Sequence, residues 1–120
     1  MLISFGVLLF YKHDVRGVCD DVFRLNRMKI VYTSHLEYRL KARGVAYDLP
    51  KNIFRLAVEH YYDSITEHYV AICQVEFEGK TREMALTYDK SDDVVELITI
   101  HPIKLYQKIS RIKSGRWEKI

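Results

Sequence analysis

Hydrophobic and polar positions alternate most regularly between Glu67 and Glu78. The odd-numbered positions from Tyr69 to Phe77 are all apolar, and the even-numbered positions from Gln74 onward are polar. A period of two is the signature of a β-strand that buries one face. The pattern therefore predicts a strand over this run.

Two further apolar runs, at residues 81–88 and 94–100, follow this predicted strand. Gly79 separates the first pair of runs and tolerates a positive φ, which suits a tight turn. The all-polar stretch 89–93 separates the second pair. The three runs predict a β-meander that carries His101 at the end of its last strand.

The run before the meander predicts a strand and two helices. Residues 29–33 are mostly apolar and extended in character, and Ser34 with Glu37 three positions later has the form of a helix N-terminal capping box. Gly44 is suited to end that helix. The sequence therefore predicts a strand at 29–33 and a helix from His35 to Arg43.

A second helix is predicted to begin at Asp48, because a capping residue is followed by Pro50 in the first turn, and to continue to about His60. A final amphipathic helix is expected after Pro102, and Ser114-Gly115 should end it. The residues from Arg116-Trp117 onward are expected to form a tail that folds back. Its apolar stripe consists of Leu105, Ile109 and Ile112.

These elements together predict an α+β fold: a small, mainly antiparallel four-stranded sheet with an N-terminal αα-hairpin and a C-terminal helix. Residues 28–120 form the expected single domain, and 120 residues suffice for one such core. Met28 directly precedes the first clean strand, so we interpret 1–27 as an N-terminal extension, with two alternatives: Met28 is the natural start, or the extension is native and adds a strand or a hydrophobic flap.

Composition narrows the classes of function. The apolar run at residues 1–10 is shorter than the ~20 residues that span a bilayer, so no membrane association is expected. The two cysteines, Cys19 and Cys73, have no metal-like spacing, and no HxxxH motif or glycine-rich phosphate loop is present. We therefore expect no metal and no cofactor, and a cytoplasmic location.

Positive charge is concentrated at the C-terminus. The net charge is +3, and residues 103–120 hold six basic residues against one acidic residue. Such a skew fits phosphate binding, although a solvated helix face has the same composition. The candidate nucleic-acid-binding residues are Arg43, Lys104, Lys108 and Arg111.

The order of predicted elements resembles the RelE/ParE-type toxin fold, in which two helices pack on a small antiparallel sheet. Over about residues 28–119 the chain also resembles the small prokaryotic proteins grouped as the DUF4258 domain. The segments that carry this second resemblance are 34–35, 39–44, 61–63, 88–89, 98–102 and 111–117.

The toxin resemblance implies a metal-independent endoribonuclease of a toxin–antitoxin pair, whose partners would be an antitoxin protein and RNA or the ribosome. Such chemistry needs a proton acceptor, a proton donor and a fixed cation at one phosphate. The candidate catalytic residues are His35, Arg39, Arg82, Tyr88 and His101. If the first and last strands are parallel neighbours, His35 and His101 open at the same end of the sheet.

Structural roles for these residues stay open at this point. His35 is also typical of a helix start, and His101 of a strand-to-helix corner that it holds by a backbone hydrogen bond. Arg82 also suits a cross-strand ion pair, and Tyr88 a core position. The alternative function is a non-catalytic module that binds protein or nucleic acid through the basic final helix or an exposed sheet edge.

Overall fold

The computed structural model describes residues 28–120, so the predicted N-terminal extension 1–27 lies outside the described residues. In chain order the elements are β1 (Lys29–Tyr32), α1 (Ser34–Arg43), α2 (Leu49–Leu56), β2 (Glu59–Asp63), β3 (His68–Phe77), β4 (Lys80–Ser91), β5 (Val94–Pro102), α3 (Leu105–Lys113) and β6 (Trp117–Lys119).

The sheet of the described chain is six-stranded and mixed, in the order β1-β5-β4-β3-β2-β6. β1 pairs with β5 in parallel, and every other neighbouring pair is antiparallel. The predicted α+β class with its three helices is confirmed. The predicted number of four strands is wrong, because β2 and β6 extend the meander on one side, and the one parallel pair makes the sheet mixed.

β2 replaces the expected end of the second helix. Ala57 follows α2 with extended dihedrals, φ −66° and ψ 134°, and Val58 is 88% exposed. The chain then pairs with β3 from Glu59 to Asp63. The prediction that this helix reaches about His60 is therefore wrong. The spacing of these residues also suits a helix, but Glu59 and His60 pair with β3 instead.

The C-terminal tail folds back as predicted, but it does so as a strand. β6 pairs with β2, so that Trp117 lies opposite Asp63 and Lys119 opposite Tyr61. Three residues give too short an alternation to be recognised in the sequence.

The two hairpin turns of the meander are short. Glu78 and Gly79 both have positive φ, 54° and 79°, which suits a two-residue turn between β3 and β4. β4 continues to Ser91, and the next turn centres on Asp92 with φ 43°. The predicted loop 89–93 is thus mostly strand, since exposed polar residues pair as readily as apolar ones at the end of a long hairpin.

α1 begins one residue earlier than predicted. Thr33, rather than Ser34, is the N-terminal cap, because its hydroxyl accepts a 3.0 Å hydrogen bond from the Leu36 N–H. Gly44 closes the helix with φ 66°. Leu36 and Leu40 point into the core, as their spacing predicts.

Each face of the sheet carries its own apolar cluster. The face covered by α1 and α2 is called the helix face, and its core includes Leu36, Ile53, Met84 and Leu97, each 1% exposed or less. The opposite face carries a smaller cluster. Its members are Tyr61, Val70, Ile72, Ala85, Ile103 and Trp117.

α3 packs on the opposite face through its basic side. Lys108 reaches Glu59 and Glu83 on the sheet, whereas Leu105 is 62% exposed and Ile109 40%. An amphipathic helix usually buries its apolar stripe. The sequence identified the stripe but not which side of the helix contacts the sheet. Between residues 28 and 120 no helix is long and apolar enough to cross a membrane.

Candidate functional site

The candidate site lies at one edge of the sheet, where β5 outlasts its neighbour. β1 pairs with β5 only as far as Leu97, and the chain then turns into α1 at Thr33. Within the described chain, residues 98–102 therefore have a strand partner on one side only. α1 and this free edge enclose an open pocket of about 270 Å³, here called the edge pocket. Its lining residues are His35, Leu36, Arg39, Ile98, Thr99, Ile100 and His101.

Three of the five predicted catalytic residues meet in the edge pocket. His35 and Arg39 are one turn apart on α1, and His101 lies near the end of β5. They converge because β1 and β5 run parallel, so that the helix after β1 starts beside the unpaired end of β5. The two histidines were expected at the same end of the sheet if the first strand and the last strand of the meander were parallel neighbours. β1 and β5 are such a pair.

The three nitrogen-bearing side chains of the edge pocket are exposed and unpaired within residues 28–120. His35, Arg39 and His101 make no side-chain hydrogen bond or ion pair with any other residue in that range. The lining contains no carboxylate. The pocket therefore presents two imidazoles and one guanidinium, a donor set suited to an anion.

His101 is biased toward its neutral form. Neighbouring atoms desolvate part of its ring, and the positive charge of Arg111 on α3 adds a smaller effect, so the pKa of His101 falls below its usual 6.5. The His101 side chain lies on the same face of the sheet as its register partner Ala85, the face that carries α3, and it is exposed and lines the edge pocket. A neutral, accessible imidazole can accept a proton at pH 7.

Tyr88 does not reach the edge pocket. It is 2% exposed in the helix-face core, and its hydroxyl lies 2.8 Å from Nδ1 of His60. Nε2 of His60 lies 3.3 Å from the Ala57 carbonyl, so this nitrogen donates and Nδ1 accepts from Tyr88. Burial raises the pKa of Tyr88 and lowers that of His60. Both side chains thus serve the core.

Arg82 is also separate from the edge pocket. It lies on β4 opposite Val75, beyond the residues that β5 pairs with, and is partly buried. Its Nε atom is buried and has no hydrogen-bond partner among the described residues. The alternative ion pair with Glu76 or Glu78 is not formed in this part of the chain.

The predicted nucleic-acid-binding residues differ in their exposure and in their contacts with the rest of the described chain. Arg43 and Lys104 are exposed, at the end of α1 and just before α3. Lys108 is occupied by Glu59 at 2.9 Å and Glu83 at 3.1 Å, with 13% of its side chain exposed.

Arg111 has a similar internal contact. Its guanidinium carbon lies 5.3 Å from the centre of the Trp117 ring, a cation–π distance. Two of the C-terminal basic residues, Lys108 and Arg111, therefore make internal contacts that hold α3 on the sheet.

A second polar cluster at the other end of the sheet was missed by the sequence reasoning. Asp63 is 3% exposed, and Arg116 donates to both its carboxylate oxygens at 2.9 and 3.0 Å. The Trp117 indole donates at 3.1 Å, and the backbone N–H groups of Ile65 and Thr66 donate at 2.9 and 3.3 Å. We call Asp63, Arg116 and Trp117 the Asp63 cluster.

The carboxylate of the Asp63 cluster is fully satisfied. Burial alone would raise the pKa of Asp63, but the hydrogen bonds, led by those from Arg116, outweigh it and hold that pKa well below its usual value. The sequence signal was only Arg116-Trp117 next to a turn glycine, and nothing in it names Asp63 as partner.

Comparisons of the chain with protein-family models, with curated proteins and with solved structures found no match. Among residues 28–120 no group of three or more histidine, cysteine or acidic side chains is arranged to hold a metal ion. The candidate site thus rests on the geometry of the edge pocket.

Proposed function

We propose that the protein is a metal-independent endoribonuclease that acts at the edge pocket. The observation that carries the proposal is the convergence of His35, Arg39 and His101 on one open pocket of about 270 Å³. Two imidazoles supply a proton acceptor and a proton donor near neutral pH. The guanidinium fork of Arg39, which lines the same pocket, can bind two oxygens of one phosphate.

The reaction follows from these groups. Neutral His101 accepts the proton of a ribose 2′-hydroxyl, and the 2′-oxygen forms a bond to the adjacent phosphorus. The bond from phosphorus to the 5′-oxygen of the next nucleotide breaks, and His35 gives that oxygen its proton. Arg39 stabilises the added charge on the non-bridging oxygens. The products are a 2′,3′-cyclic phosphate and a free 5′-hydroxyl.

Tyr88 and Arg82 have no part in this proposal. Tyr88 is committed to His60 in the core, and Arg82 does not line the edge pocket. The proposed set is therefore smaller than the one the sequence indicated.

The resemblance to RelE/ParE-type toxins gives the proposal a biological setting. In that setting the enzyme is a cytoplasmic toxin that cleaves messenger RNA, free or on the ribosome, and an antitoxin protein neutralises it. The resemblance to the DUF4258 domain adds no activity of its own. What supports the toxin setting is the order of elements from β1 to β5 and the position of the histidines.

The test is cleavage of a single-stranded RNA by the full chain in the presence of EDTA. We expect cleavage with cyclic-phosphate ends, and a loss of about 100-fold or more in His35→Ala and in His101→Ala. His68→Ala is the matched control, because this surface histidine pairs with Asp89 outside the pocket. Equal activity in all three variants would contradict the proposed site.

The second candidate function is a non-catalytic binding module, and the unpaired edge of β5 is the observation that favours it. An exposed strand edge can take an added strand from a partner. Binding of RNA or of a protein without any cleavage by the folded chain would support this candidate instead.

A further inference from the structure

The free edge of β5 has a defined pattern of backbone donors and acceptors. In an antiparallel pair successive residues direct their N–H and C=O groups alternately toward and away from the partner. The Ile103 N–H donates to the Glu83 carbonyl on β4 at 2.9 Å, which fixes the phase of the alternation. Counting back from Ile103, the backbone N–H and C=O groups of His101 and Thr99 point to β4. Those of Ile100 point away from β4, to the edge pocket.

Pro102 agrees with this assignment. It takes the same orientation as Ile100, away from β4, and a residue without an N–H is tolerated where no ladder bond is needed. The N–H of Ile100 therefore points to the free edge, where residues 98–102 have no strand partner within the described chain.

Ile98 adds an acceptor beside this donor. The register between β4 and β5 shifts at Thr87/Tyr88, which leaves Ile98 without a paired residue on β4. Its carbonyl oxygen lies 3.5 Å from the Thr33 hydroxyl, so it points to the side of β1 and α1. Such a long contact leaves most of the acceptor capacity of the carbonyl unused.

We infer that the Ile98 carbonyl and the Ile100 N–H read the base of the bound nucleotide and select adenine or cytosine. Both bases place an amino group, a donor, next to a ring nitrogen that accepts. Guanine and uracil place a carbonyl next to a ring N–H, which is the reverse order. Their carbonyl would then face the Ile98 carbonyl, and their ring N–H would face the Ile100 N–H. RNA-binding proteins commonly recognise unpaired bases through this edge.

The other walls of the edge pocket suit one nucleotide. Ile98 and Ile100, which are partly exposed, provide apolar surface for the flat base, and Arg39 provides the positive charge for its phosphate. About 270 Å³ is at the lower end of small-molecule sites, which indicates a single nucleotide rather than a duplex. This inference rests on the proposed function, because it identifies the substrate of the same site.

The experiment measures binding of the four nucleoside 3′-monophosphates to the full chain by calorimetry, alongside the RNA cleavage test. We expect the adenosine and cytidine compounds to bind about 10-fold or more tightly than the guanosine and uridine compounds, as for one two-point base contact. N6,N6-dimethyladenosine 3′-monophosphate lacks the amino donor and should lose the advantage. This ligand tests the contact without altering the protein.

Two variants test the backbone donor. Ile100→Pro removes the N–H at an edge position and should bring the four affinities together while phosphate binding persists. Ile100→Val keeps the N–H and should keep the preference. A preference that survives in folded Ile100→Pro, or in the dimethylated ligand, overturns the inference.

The outcomes separate the two claims. RNA cleavage with equal affinity for all four nucleotides overturns the base selection and leaves the ribonuclease standing. No nucleotide binding and no cleavage overturns both.

Discussion

An arginine lies at each end of the sheet, and the two differ in whether they form an ion pair. In the Asp63 cluster Arg116 is held by two charged hydrogen bonds to a buried carboxylate. In the edge pocket Arg39 is exposed and has no ion-pair partner among residues 28–120. The difference shows which polar groups the fold uses internally and which it leaves available.

The physical reason is burial. A carboxylate that is 3% exposed must be fully hydrogen-bonded, and Asp63 accepts from two side chains and two backbone groups. The edge pocket is open to water, so Arg39 needs no internal partner. Polar side chains that need no partner for folding, and that line one concave pocket together, are stronger candidates for a functional site than a buried, fully bonded cluster.

Removing Arg39 and removing the carboxylate partner of Arg116 should give opposite results, and the larger effect is expected on activity. We expect Arg39→Ala to lower the rate of RNA cleavage by about 100- to 1000-fold, because the phosphate charge loses its cation. The free energy of unfolding should change by less than about 0.5 kcal/mol, since the side chain is exposed. Initial rates and urea unfolding measure the two quantities. Full activity in folded Arg39→Ala would remove the arginine from the site.

The Asp63 cluster should respond in stability instead. Asp63→Ala leaves Arg116 and the Trp117 indole without their acceptor, and we expect it to lower the unfolding free energy by about 2–4 kcal/mol. The folded fraction should cleave RNA at the parent rate. Asp89→Ala is the matched control, because its pair with His68 is 41% exposed on the aspartate side and should cost less than about 1 kcal/mol. Equal losses in the two variants would contradict the contrast.

The pH profile of cleavage tests the state of His101. A base must be neutral, and the pKa of His101 lies below 6.5, so acid should reduce activity only below that value, by up to about tenfold per pH unit. In Arg111→Gln the positive charge near His101 is gone, and the acidic limb should move to higher pH. Cleavage that increases as pH falls from 7 to 5 would show that His101 does not act as the base.

The smallest expected effect is at Tyr88. Tyr88→Phe removes the hydrogen bond to His60, and we expect a loss of about 1 kcal/mol in unfolding free energy with unchanged cleavage. Tyr38→Phe serves as control, because Tyr38 is 70% exposed and should change neither quantity. A large loss of cleavage in folded Tyr88→Phe would return this tyrosine to the catalytic set.

The sequence predicted the elements that depend on local pattern. The two helices after β1, the meander and the final helix follow from periodicity, caps and turn glycines, and the structure contains each of them. β2 and β6 could not be predicted in the same way, because five and three residues carry little periodicity and owe their pairing to distant partners.

The candidate site was predictable in part for the same reason. His35 and Arg39 share a helix side by spacing alone, and His101 joins them only because β1 is parallel to β5. The position of Tyr88 depended on the facing residue His60, which spacing cannot reveal. Thr99, two residues before His101 on the same strand, is the lining residue that period-two reasoning could have added.

The proposed function requires that RNA binds at the edge pocket and not elsewhere on the sheet. The most direct measurement is an NMR titration of the histidine ring signals with an RNA whose 2′-hydroxyls are replaced by hydrogen, so that it binds without being cleaved. We expect shifts of the His35 and His101 signals and none at His60 or His68. Saturable binding that moves only His60 or His68, or that leaves His35 and His101 unchanged, would contradict it.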